Sequence, residues 1–178
     1  MLKKIIGGVI GLAIGGTVFT ISKSDIAKNF SKNTGLTQQQ AEEYINNIPQ
    51  SELDSFSKIG QTFIDDADSL LGIAKDIDCI NYSYKWESPS LSCGNGKNQL
   101  QKTGNDEITL GHCYQDLDTD LGDSAKSKIK ECVESINTVD SDYNLSIMTA
   151  TIDASSIADW KKTNAYNKSL LEAALESK

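Results

Sequence analysis

From Leu53 to Ile77 apolar or small residues recur at intervals of three and four: Leu53, Phe56, Gly60, Phe63, Ala67, Leu70, Ala74 and Ile77. Lys58, Asp65, Asp66, Asp68 and Lys75 fall off that stripe. This spacing predicts an amphipathic helix with one face in a bundle and the acids on its wet face. Ser51 opens it, and Asp54 suits the positive end of the helix dipole. Two shorter helical stretches precede it. One runs from Ser24 to Asn33 and stops at Gly35. The other starts at Thr37, with Gln40 three residues on as a capping box, and ends at Pro49.

Residues 79–93, "CINYSYKWESPSLSC", change period. Tyr82, Tyr84 and Trp86 share one parity, which is strand spacing, and Pro89 limits the run to a short extended loop. "CGNGK" then turns the chain. Helical spacing returns through Leu100, Leu110, Tyr114, Leu117 and Leu121, although Gly104 and Gly111 weaken it and Glu107 interrupts the apolar seam. After Gly122 and Asp123 there is no glycine or proline up to Lys178. Ile129, Cys132, Ile136, Val139 and Tyr143 continue a three-four seam. A break near "TIDASS" would let Asp153 or Ser155 cap a last helix carrying Ile157, Trp160, Leu170, Leu171, Ala174 and Leu175. The pattern predicts an all-α protein, an antiparallel helical bundle with one short extended loop.

The N-terminus is different. Lys3 and Lys4 precede Ile5 to Ile21, 17 residues without a charge. A basic start followed by an apolar run has the layout of a signal peptide. Its length is also at the lower limit of a membrane-spanning helix. Gly7, Gly11 and Gly15 recur every fourth residue and would share one face of such a helix, where they would let another helix approach closely. Weak cleavage sites end at Ser22 and Ser24, and no cysteine nearby allows a lipid anchor. Two regions follow: 1–22 as signal peptide or N-terminal hydrophobic anchor helix, with cleavage slightly preferred, and 23–178 as a single helical-bundle domain.

Charge and cysteine content narrow the functional classes. The chain of 178 residues has 25 acids and 17 bases, a net charge of −8, and every base is lysine. Without an arginine the bidentate grip on phosphate is missing, and the acidic balance disfavours nucleic acid. Four cysteines behind an export-like start read as two disulfides. Cys113 and Cys132 each lie eight residues from the nearer end of the Leu121–Ser124 turn, so a helix hairpin would bring them to the same height. Cys79 and Cys93 would then close the aromatic loop. Successive spacings of 14, 20 and 19 contain no C-x-x-C pair for zinc.

Catalytic signatures are weak. His112 is the single histidine, and its neighbour Cys113 would point about 100° away on a helix, too far round for a catalytic dyad. "DLDTDLGD" at 116–123 has Asp116, Asp118 and Asp120 in calcium-loop positions, but Leu121 replaces the required glycine and Ser127 the final glutamate. Asn-x-Ser sequons begin at Asn29, Asn81, Asn144 and Asn167. These features imply no enzyme, no cofactor and no bound metal. They point to an exported, disulfide-stabilised binding or structural module, periplasmic or extracellular. A protein partner could meet Tyr82, Tyr84 and Trp86, or the N-terminal helix. The alternative is a membrane-anchored subunit of a larger assembly, held through residues 5–21.

Overall fold

The computed structural model describes residues 3–6, 8–48, 55–79, 93–148 and 154–177. Most of them are helical, and a small antiparallel sheet precedes the helices. The expected N-terminal helix is not formed. In its place β1 (Lys3–Ile6), β2 (Val9–Ile14) and β3 (Thr17–Ser22) make a three-stranded meander in chain order. The reason is in the alternation. Ile10, Leu12 and Ile14 on β2, with Phe19 and Ile21 on β3, face the core, while Val18 on the opposite face is 70% exposed. Ile10 pairs with Ile21 and Leu12 with Phe19. β-Branched residues suit this half-buried pleat, and the glycines between them weaken a helix.

Gly15 and Gly16 form the two-residue hairpin turn, both with positive φ (59° and 79°), as a type I′ turn requires. The turn docks on residues 117–125. The Gly15 amide donates to the Leu117 carbonyl (2.8 Å), and the Leu121 amide donates to the Gly15 carbonyl (3.0 Å). A Cβ at Gly15 would come within 2.9 Å of Leu121 and 3.0 Å of Ala125. The glycine stripe therefore splits. Gly11 lies within β2 opposite Thr20, Gly15 sits at the docked turn, and Gly7 lies outside the described residues.

Among the described residues six α-helices follow: α1 (Lys23–Thr34), α2 (Gln38–Asn47), α3 (Phe56–Asp76), α4 (Cys93–Asp116), α5 (Ala125–Met148) and α6 (Ala154–Glu176). Gly35 ends α1 in the left-handed region, and Thr37 with Gln40 makes the reciprocal capping box of α2. Ser55 caps α3, whose first turn is also held by Asp118, an acceptor for the Ser57 amide at 2.6 Å. α4 starts at Cys93, so the expected turn at "CGNGK" is helical. Packing overrides glycine's low propensity there, since Gly96 is buried.

Gly60 of α3 meets Gly111 of α4 backbone to backbone, and Leu71 meets Gly104 further along. Cys113 is joined to Cys132, while Lys102 of α4 reaches Asp142 of α5. Asn164 and Lys161 of α6 bond Asp140 and Asn144 of α5. In these three pairs, α3–α4, α4–α5 and α5–α6, the residue numbers rise on one helix as they fall on the other. The main core unites the sheet with all six helices, from Ile10 and Phe19 to Phe56, Tyr114, Tyr143 and Leu171. Leu70, Ala74 and Leu100 form a smaller cluster that Ile77 packs against, near the Cys79–Cys93 bond.

Candidate ligand cleft and the acidic core behind it

On α3, Ile59, Thr62, Phe63 and Asp66 occupy positions i, i+3, i+4 and i+7, one face of a helix. Trp160 and Thr163 on α6 are three apart and face them. Together they line a cleft of about 200 Å³. Both aromatic walls are braced from behind. The Phe63 ring packs on Tyr114 at 5.8 Å, and Trp160 on Tyr143 at 5.5 Å.

Tyr143 links the cleft wall to a buried acid. Its hydroxyl donates to Glu107 Oε1 at 2.5 Å. Glu107 is 0% exposed, and its Oε2 has no hydrogen-bond partner among the described residues. Burial pushes Glu107 up to about 7, against the opposing effect of the Tyr143 bond, and the charges of Asp66 and Asp142 add to the rise. Burial, then the Tyr143–Glu107 proximity, keeps the Tyr143 phenol neutral well above its ordinary range. Asp66 is also raised, by burial first and Asp65 second. The neighbouring ammonium, Lys102, is directed to Asp106 (2.6 Å) and Asp142 (2.7 Å). Acidic groups thus gather behind the cleft wall, with Glu107 favouring its protonated form and Asp142 paired with Lys102.

A second cleft, about 360 Å³, lies where α1 and the segment after it meet α5 and α6, lined by Phe30, Asn33, Leu36, Asp140, Lys161 and Lys162 among others. Its charges are largely engaged. Lys161 donates to Asn144 (2.7 Å), Lys162 sits 4.6 Å over the Tyr44 ring, and Asp140 accepts from Asn164 (3.1 Å). Burial raises Asp140, while Asn164, Lys161 and Lys168 pull it back.

The residues singled out in the sequence are dispersed. Cys113–Cys132 crosslinks α4 to α5, and Cys79–Cys93 ties the chain just after α3 to the start of α4. Tyr82, Tyr84 and Trp86 lie outside the described residues. His112 is exposed on α4, 3.3 Å from Gln115 Oε1. The acids of the calcium-like run have local duties: Asp116 pairs with Lys128, Asp118 holds the start of α3, and Asp120 accepts from the Gly122 amide. Among the described residues no group of three His, Cys, Asp or Glu could hold a metal ion, and no helix is long and apolar enough to cross a membrane. Of the sequons, Asn29 and Asn167 are buried and Asn144 accepts from Lys161.

The sequence reading missed Asp66 and Glu107. The sequence pattern places Asp66 on the wet face of its helix, whereas it is half-buried and lines the cleft. Glu107 did carry a signal, a carboxylate standing in an otherwise apolar seam. No family model, no curated protein and no solved structure matches the chain.

Proposed function

We propose that the protein is a non-catalytic binding module of an oxidising, extracytoplasmic compartment, an antiparallel helical bundle held by two disulfides. The observation that carries this reading is the state of the cysteines. Both pairs are joined, and no cysteine is free. Structural disulfides persist in oxidising compartments and are rare where thiols are kept reduced. The cleft between α3 and α6 supplies the binding surface. The aromatic loop with Tyr82, Tyr84 and Trp86 would be a second contact for a protein partner.

The membrane-subunit alternative is weaker. It needs residues 5–21 as a helix with a glycine stripe, whereas β2 and β3 place their apolar side chains in the protein's own core. The intact mass of protein from its native source, measured before and after reduction, tests the compartment. Two disulfides require a gain of four hydrogens on reduction. Protein isolated with alkylatable thiols at all four cysteines would contradict it.

A further inference from the structure

We infer that the α3–α6 cleft binds a small organic cation, a quaternary or alkyl ammonium headgroup, between Phe63 and Trp160 with Asp66 as its counter-charge. This deepens the binding reading and rests on the cleft being the site used. Three independent features converge on it. The walls are aromatic, with Phe63 nearly buried and Trp160 half-buried, and the faces of such rings attract cations. Asp66 lines the same space and is itself half-buried, so its charge is only partly screened.

Behind them stands Glu107, wholly buried, with one carboxyl oxygen unpartnered among the described residues. The charge of Asp66 raises Glu107, and that of Asp142 adds to the rise. Lys102 pairs with Asp106 and Asp142, so Asp66, which lines the cleft itself, is the acid that a cation seated between the rings would meet. Thr62 and Thr163 at the rim offer hydroxyls to a polar substituent on the ligand. The volume, about 200 Å³, is below the roughly 300–1,000 Å³ of drug-sized sites. It suits a headgroup rather than a large molecule.

The test is calorimetric titration of the full oxidised chain at fixed ionic strength with choline, tetramethylammonium and 3,3-dimethylbutanol, the uncharged shape analogue of choline. Binding of both cations, with the alcohol at least about tenfold weaker, is the expected result. Asp66→Asn should weaken choline on the order of tenfold, because one desolvated charge partner is lost. Asp68→Asn, on the exposed face of the same helix, should leave it unchanged. Trp160→Leu should cost roughly three- to thirtyfold. If that variant unfolds, the Asp66 and Asp68 pair still decides. Equal binding of choline and the alcohol would overturn the cation while leaving the cleft a binding site. Absence of binding by any cation in the series, with both disulfides intact, would overturn the inference and leave the compartment reading to the mass measurement.

Discussion

Glu107 shows how much one side chain can alter the behaviour of a helical core. A carboxylic acid in an apolar seam costs least when it stays protonated. Its ordinary value is 4.5, and in the fold it titrates at about 7. Between those values the folded state keeps a proton that the unfolded chain has released. Stability therefore falls as pH rises through that window, by about 3 kcal/mol in all, and no further loss from this residue follows above it. Tyr143 on α5 donates to it, while Asp66 on α3 and Asp142 on α5 raise it. Glu107→Gln keeps an acceptor for Tyr143 and removes the titration. Urea unfolding from pH 4.5 to 8 should show the slope in the native protein and a flatter profile in the variant. Equal slopes would mean that Glu107 ionises normally.

Single glycines teach the same lesson about reading residues in isolation. In sequence, Gly104 and Gly111 looked like flaws in a helix. In space they are where α3 and α4 come together. A Cβ on Gly111 would lie 2.6 Å from the Gly60 carbonyl oxygen, and one on Gly104 would lie 2.9 Å from Leu71. Propensity counts what a glycine costs its own helix, whereas close approach depends on a partner helix that the linear pattern does not name.

At the scale of elements, that contact yields an opposed pair of expectations. Gly111→Ala should destabilise by about 1–3 kcal/mol through overpacking. Gly72→Ala, on the same α3 but with nothing within 4 Å of its new methyl, should stabilise by about 0.5–1 kcal/mol. Denaturant midpoints at unchanged m values measure both. If the two variants moved together, the close crossing would not be what places the helices.

The α4–α5 hairpin was the most legible element. Gly122 marked its turn, and the two cysteines stood almost symmetrically about it, where the Cys113–Cys132 bond is found. Replacing both by alanine releases a 19-residue loop in the unfolded chain and should cost about 3 kcal/mol by the loop-entropy model. The start of α4 was less legible, because "CGNGK" carries turn residues. Its helix is sustained by the burial of Gly96 and by Lys97, whose ammonium donates to the Ile77 carbonyl at 3.2 Å.

For the whole molecule the decisive element is the meander. Charge-free length, glycine spacing and two leading lysines suggested a leader or anchor. The alternation of Ile10, Leu12 and Ile14 was present in the same letters, but a continuous apolar run conceals a period of two. What resolves it is tertiary: the helices present an apolar surface, and the hairpin turn bonds to Leu117 and Leu121. Five fully or nearly buried side chains come from this segment. At about 1.5–3 kcal/mol each, their burial is comparable in size to the roughly 5–15 kcal/mol by which a domain is stable. A boundary after residue 22 would cut through the core.

Hydrogen exchange of the oxidised full chain, read by mass spectrometry on peptides spanning residues 9–22, tests this most directly. A sheet built into the core predicts slow exchange there, lost only on global unfolding and matching the peptides of α4 around Cys113. Complete exchange of 9–22 at the earliest times, with α4 still protected, would contradict it and restore the segment as a leader outside the fold.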